Sequence, residues 1–317
     1  MNKKSYTTEE VAQILQVSKL TIYDLVKKGL LPTYRVGRQM RIEPEDLEEY
    51  IARSKKGGNP IVLPNHDQEV PITKVKSYRQ GVLGLRQIVI SGQDLSLDIL
   101  SNHIENSSNE LRPLRSYVGS LESLISMYQG YSDIVSTHLI EGTTGEYNLP
   151  YINKILVNFE YVVINLLSRK AGFYVRKGNP KSIKNWPDLK DVTLINREKG
   201  SGARVLIDES LKKHHISIHD VKGYDLEETN HLSVASAVAK GVADVGVGIE
   251  KASKLVDRID FIPLVNERYD LVILKTSENK PLIKQIKEIL NSDSFRSDLE
   301  ALGGYDLTRT GQVIFET

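Results

Sequence analysis

Two groups of residues in this 317-residue chain have types and spacing that suit chemistry. The first is a set of small and hydroxyl residues, each placed where an apolar run gives way to helical spacing: Ser91, Gly119-Ser120, Ser136-Thr137, Gly200-Ser201-Gly202 and Ser233. A helix start presents unpaired N–H groups and about half a positive charge, and small residues there let backbone approach a ligand closely. Hydroxyls add further donors, so the pattern suits an anion. The plainer role for any one of these serines is an N-cap. Chain reversal is the lesser reading for Gly200 and Gly202, while Arg197 and Arg204 suit a ligand contact and surface ion pairs equally. A direct arginine contact would point toward a carboxylate or phosphate. The second group is basic. Residues 27–41 hold Lys27, Lys28, Arg35, Arg38 and Arg41 and no carboxylate.

Other chemistries are excluded. The chain has no cysteine, which removes disulfides, thiolate metal sites and cysteine nucleophiles. It has no Gly-x-Ser-x-Gly elbow and no His-Glu-x-x-His, and the glycine–lysine order in Lys199-Gly200-Ser201-Gly202 is wrong for a P-loop. We therefore expect no catalytic residues, no metal site and no cofactor. Forty-two basic side chains against 41 acidic ones leave a formal charge of +1, so nucleic-acid binding has to come from a local patch. No run approaches 18 apolar residues, and Met1-Asn2-Lys3-Lys4 leads into no apolar core. A cytoplasmic location is the expectation.

The elements that must carry the basic group lie in the first 54 residues. Thr7 and Glu10 fit a capping box before the apolar face Val11, Ala12, Ile14, Leu15. Ser18 suits the N-cap of a second helix with Ile22, Leu25 and Val26 inward and Gly29 at its end. Thr33–Val36 and Gln39–Ile42 read as a β-hairpin around Gly37-Arg38, and Glu43-Pro44-Glu45-Asp46 starts a further helix. The run Tyr6-Thr7-Thr8-Glu9-Glu10-Val11-Ala12 … Val17-Ser18 … Thr21-Ile22-Tyr23 … Gly29-Leu30-Leu31-Pro32 … Tyr34-Arg35-Val36-Gly37-Arg38 … Arg41-Ile42 closely resembles the excisionase-like helix-turn-helix family, related to the MerR-type winged helix. The resemblance implies that Ser18, Lys19, Thr21 and Tyr23 face the DNA groove or its phosphates, with Lys19 and Thr21 nearest base edges. It implies that Arg35, Arg38 and Arg41 of the wing hold the backbone. Lys27 belongs to the same basic surface.

Residues 55–84 read as a linker, rich in glycine, proline and charge. From residue 85 the pattern is α/β. Strands are expected at 86–90, 111–118, 133–137, 161–167, 172–175, 192–195, 244–249 and 269–274, a turn at Asn185–Leu189, a helix beginning near Ser233, and two terminal helices at 280–291 and 293–301. The ordered features Gly119-Ser120-Leu121, Asp133–Leu139, Gly172–Pro180, Asn196-Arg197-Glu198-Lys199-Gly200-Ser201-Gly202-Ala203-Arg204 and Ala243–Ile249 resemble a type II periplasmic-binding-protein domain. They are most similar to the molybdate-binding-like domain that some regulators carry behind an excisionase-like head. The resemblance implies a two-lobed domain over 85–310, with one lobe from 85–168 and 266–310 and the other from 169–265. It implies Ser91, Gly119, Ser120, Ser136, Thr137, Arg197, Gly200, Ser201, Gly202 and Ser233 as ligand-binding residues, with His138 and His231 as polar neighbours of the cleft.

Together these readings predict a DNA-binding transcriptional regulator of the excisionase family, a homodimer or higher homo-oligomer on double-stranded DNA, whose clamshell senses an oxyanion such as molybdate or tungstate. The alternatives are another small anion or organic acid as effector, a transporter's solute-binding protein, and a recombination accessory factor.

Overall fold

A computed structural model describes residues 5–15, 17, 19, 22, 25–26, 31–36, 39–44, 46–48, 50, 85–108 and 110–317, without the side chains of 35, 36 and 39. Contacts divide the chain into two units, 1–71 and 72–317. The connector expected over 55–84 lies outside the described residues.

In the first unit, β1 (Tyr6–Thr7) leads into α1 (Thr8–Leu15), followed by β2 (Tyr34–Val36) and β3 (Gln39–Ile42). The capping box forms. The Thr7 N–H donates to Glu10 Oε2 at 2.7 Å, and the Glu10 N–H donates to Thr7 Oγ1 at 3.2 Å. Val11 and Ala12 are thereby turned onto Ile22, Leu31, Ile42 and Leu47, with Leu25 and Val26 against the same cluster. The hairpin pairs Tyr34 with Arg41, and β1 adds a third strand through Tyr6 opposite Ile42. The sequence pattern marked the hairpin alone. Two residues are too short to show an alternation.

The second unit is a mixed sheet covered by helices on both faces. In chain order its elements are β4 (Arg86–Ser91), α2 (Ser96–Ser107), β5 (Leu111–Ser116), α3 (Ser120–Tyr128), β6 (Ile134–Thr137), α4 (Leu149–Ile155), β7 (Tyr161–Arg176), β8 (Leu194–Arg197) and α5 (Gly202–Lys213). Then come β9 (Glu227–Glu228), α6 (His231–Lys240), β10 (Val245–Ile249), α7 (Glu250–Ser253), β11 (Ile259–Leu274), α8 (Lys280–Leu290), α9 (Asp293–Leu302), β12 (Tyr305–Asp306) and β13 (Val313–Glu316). The sheet order is β5-β4-β6-β11-β7-β10-β8-β9, and β12 and β13 also pair with β7.

Two strands of 16 residues, β7 and β11, run antiparallel through the whole sheet. The separate strands expected at 161–167 and 172–175 are one strand, and the strand expected at 269–274 begins at Ile259. Between the apolar runs 161–167 and 172–175 lies the polar Ser168-Arg169-Lys170. It continues the strand because the buried Arg169 meets carboxylates there. The expected turn at Asn185–Leu189 is a 3-10 helix over Trp186–Asp191, capped by Asn185 and Asp188.

That polar crossing separates two sets of core. On one side, Ile164 and Leu271 pack with Ile88, Leu100, Ile286 and Phe295, while Val163 and Val272 pack on the opposite face with Leu124 and Val135. On the other side, Phe173 and Val175 pack with Leu194, Leu206 and Val245, and Tyr174 packs with Ile195, Val234 and Val238. Alternate residues of each strand feed opposite faces, so each side is a sheet between two helical layers. The result is the two-lobed type II architecture, with β7 and β11 as its crossing strands.

Candidate ligand-binding cleft

The two lobes enclose a cavity of about 250 Å³. Its walls are the first residues of helices, delivered at the carboxyl ends of strands. Asp94 and Leu95 precede α2, Gly119 and Ser120 open α3, Ser201 and Gly202 open α5, and Asn230 and His231 open α6. Four helices of at least nine residues therefore begin at one space, two from each lobe, and bring the positive ends of their dipoles to it. A larger hollow of about 570 Å³ lies along the crossing strands beside Lys170 and Pro263, but only the four-residue α7 begins at it.

The lobes touch across this cavity. The Leu121 N–H donates to the Gly200 carbonyl at 3.0 Å. Arg197 Nη2 donates to Gln93 Oε1 at 2.7 Å, and Gln93 Nε2 donates to Glu198 Oε1 at 3.2 Å. Glycine is required by this closeness. A Cβ on Gly119 would lie 2.8 Å from the Gly200 carbonyl oxygen, and one on Gly202 would lie 2.2 Å from His138 Nε2.

Charge at the floor of the cleft is buried and mostly paired. Arg169, 5% exposed, donates from Nε to Glu267 Oε2 at 3.1 Å and from Nη1 to Asp94, with its guanidinium 4.6 Å from the Tyr269 ring centre. Burial pushes the Glu267 carboxyl above the usual carboxylate range despite Arg169. Asp94 stays below it, because Arg169 and the Ser96 N–H outweigh the effect of burial. Arg197, 1% exposed, is held by Glu198, Gln93 and the Thr229 carbonyl. Lys251 places its ammonium 4.4 Å from the Tyr305 ring centre with no hydrogen-bond acceptor, and burial lowers its pKa.

Two histidines complete the wall. His138 Nδ1 lies 2.9 Å from Ser120 Oγ, and its ring stacks on Tyr269 at 5.0 Å. His231 Nδ1 is buried without a partner. Burial, with Arg169 and Arg197 adding to it, pushes both imidazoles well below the ordinary histidine pKa, so both are neutral at pH 7.

Of the residues expected to bind ligand, Gly119, Ser120, Arg197, Ser201 and Gly202 line the cavity together, and the other five do not. Ser91 Oγ instead bonds Ser132 Oγ at 2.6 Å, and Ser136 Oγ bonds Tyr269 Oη at 2.7 Å. Thr137 is fully buried within β6, and Gly200 faces the lobe junction through its carbonyl. Ser233 sits inside α6, which starts at His231, two residues earlier than expected. Asn230 is the cap, accepting the Ser233 N–H at 2.8 Å. Ser201 lines the cavity but spends its hydroxyl locally, accepting the Arg204 N–H at 3.3 Å as the N-cap of α5 and donating to the Glu198 carbonyl at 2.9 Å. Arg204 stands away from the cavity on Glu227 and Asp208. Sequence reasoning missed Asp94, Arg169, Lys251 and Glu267. The available signal was a charged pair, Arg169-Lys170 and Glu267-Arg268, in the middle of each apolar strand.

In the first unit, Lys19 pairs with Glu9, and Arg41 lies in β3 opposite Tyr34. Arg35 is in β2. Ser18, Thr21, Tyr23, Lys27 and Arg38 lie outside the described residues. Among the described residues no helix is long and apolar enough to cross a membrane, and no group of three or more His, Cys, Asp and Glu is placed to hold a metal ion.

Comparison with known proteins places these features among relatives. A family model described as a PBP superfamily domain matches residues 101–291, and one described as a helix-turn-helix domain matches residues 5–55. The chain is 50% identical over 315 residues to the uncharacterized protein YvgK of Bacillus subtilis strain 168, covering 99% of this chain and 98% of that protein. In structure it is similar to a hydrogen-peroxide-bound cysteine-to-serine mutant of Corynebacterium glutamicum OxyR, with a TM-score of 0.51, 12% identity, and coverage of 93% of this chain and 89% of that one. It is similar also to a Clostridium perfringens phosphate ABC transporter substrate-binding protein with bound phosphate, with a TM-score of 0.51, 13% identity, and coverage of 70% of this chain and 99% of that one. At these identities the likeness is one of fold.

Proposed function

Because this chain belongs to the PBP superfamily and carries a helix-turn-helix domain ahead of its PBP-like domain, we propose that it is a DNA-binding transcriptional regulator whose cleft binds a small anion. The observation that carries this reading is the convergence of four helix starts, two from each lobe, on one cavity. Helix N-termini favour negative charge, and here they do so beside an ammonium without an acceptor. Lobes that touch only when closed give the ligand its leverage, since an effector shifts an equilibrium by binding one state better than the other. An anion bridging Ser120 and Gly202 stabilises the closed state, and the helix-turn-helix domain reads that state on DNA. Tetrahedral oxyanions such as molybdate and tungstate are the first candidates, and double-stranded DNA bound by a homodimer is the expected partner arrangement.

The test has two arms. Calorimetric titration of the full chain with molybdate, tungstate, sulfate and phosphate, and with small carboxylates, is expected to give one binding anion class. Fluorescence anisotropy on a duplex selected in vitro by the full chain is expected to change affinity at least fivefold when that anion is present. Duplex binding that is indifferent to every anion, or no anion binding at all, would overturn the reading. No catalytic step is assigned to the cleft.

A further inference from the structure

The fixed charges around the cleft cancel. Arg169 stands between Asp94 and Glu267, and Arg197 is held by Glu198. Lys251 is the third cation against those three carboxylates, and it faces Asp94 and Arg169. A dianion entering this enclosed space therefore meets helix dipoles and donors but no net charge. Removing it from water without counter-charge is costly.

Two groups can provide that charge, and both stand in the wall. His138 comes from the end of β6 and His231 from the start of α6, so one belongs to each lobe. Facing His138 are Ser120 of α3, Arg169 of β7, Arg197 of β8, and Glu267 and Tyr269 of β11. Gly202 of α5 lies against the ring, and Glu267 Oε1 is 4.0 Å from Nε2. Facing His231 are Arg197, Arg169 and His138. Burial keeps protons off both rings, and the two arginines add to it. A bound dianion reverses that local field.

We propose that the cleft takes a small dianion together with protons, and that His138 and His231 receive them. This deepens the reading of the cleft as an anion site and rests on it. The protons come from solvent or buffer acid, one N–H bond forms on each ring, and no bond in the ligand breaks. Protonation also changes what the wall offers. With a proton on both nitrogens, His138 donates from Nδ1 to Ser120 Oγ and leaves the serine hydroxyl hydrogen free to point at the ligand. The unpartnered Nδ1 of His231 becomes a second donor. Closure then brings one imidazolium from each lobe onto the same anion.

The experiment is calorimetric titration of the full chain with sodium molybdate, tungstate and sulfate. It is run at pH 7.5 in buffers with different ionisation heats, then between pH 6.5 and 8.5. The expected result is a heat that varies with the buffer and reports uptake of more than one proton per anion, with affinity falling about tenfold per pH unit of increase for each proton taken up. His231→Gln is expected to lower the uptake by about one proton while the chain stays folded by circular dichroism, and His138→Gln to do the same. Buffer-independent heats with a pH-independent affinity would overturn the proton uptake and leave the anion reading standing. An uptake unchanged in both variants would overturn the assignment to these histidines. Absence of binding by every dianion at every pH would remove the anion reading, and the proton uptake with it.

Discussion

The N–H of Leu121 and the carbonyl of Gly200, 3.0 Å apart, join the first turn of a helix in one lobe to a loop of the other. The contact needs no side chain, and the neighbouring Gly119 is what allows the two backbones to meet. Gly119 has φ −68° and ψ 167°, which any residue adopts, yet a Cβ there would lie 2.8 Å from the Gly200 oxygen. Gly119→Ala is therefore expected to leave each lobe folded and oppose closure alone. Anion affinity should fall about tenfold, or ~1.4 kcal/mol, and small-angle scattering should show a larger radius of gyration than the wild type in saturating anion. Equal radii and equal affinity would show that closure does not use this contact.

Ser120→Ala separates ligand binding from capping. Gly119, not Ser120, occupies the N-cap of α3, and the Ser120 hydroxyl engages His138. We expect anion affinity to fall by about 1 kcal/mol, the typical worth of one hydrogen bond, with the melting temperature within a few degrees of wild type. A large drop in melting temperature without an affinity change would restore a purely structural role.

Arg169→Met tests the crossing. The side chain is nearly the right volume, but it leaves Asp94 and Glu267 buried without their cation. Breaking a buried pair from one side costs about 3–5 kcal/mol, so the urea midpoint should fall markedly at pH 7. Protonating Glu267, which burial already favours, should recover part of the loss at pH 5. A midpoint equal to wild type would contradict the ion-pair account.

The two histidines set a pH window for the free protein. Both have folded pKa values well below 6.5, so the unfolded chain binds protons that the folded chain refuses. Stability is then fully present above about pH 6.5 and is lost as pH falls below it, by up to ~1.4 kcal/mol per pH unit for each group. The melting temperature should rise from pH 5 to pH 7 and then level off. Saturating anion should flatten that slope. Asp94, whose pKa is depressed from 3.8, acts in a separate and more acidic range.

Arg38→Ala addresses the DNA-binding unit. If Arg38 of the wing contacts one phosphate, its loss weakens binding to all sequences alike and lowers the salt slope by about one. An unchanged slope would take the wing off the DNA backbone.

The sequence by itself determined what local rules can reach. The Thr7–Glu10 box, the hairpin and the Val11, Ala12 and Leu15 part of the apolar face of α1 depend on residues within a few positions, and they were legible, whereas Ile14, expected on that face, is exposed. So were the small residues at Gly119-Ser120 and Ser201-Gly202, because a helix start leaves a local mark. Tertiary structure decided the rest. Whether Ser168-Arg169-Lys170 breaks a strand or carries it between lobes depends on Asp94 and Glu267, 75 and 98 residues away. Whether Ser91 or Ser120 meets the cavity depends on partners, Ser132 and His138, that burial selects. Lys251 and His231 gained their meaning only when two lobes closed on one space, since the cost of an unpartnered polar group exists only once water is gone.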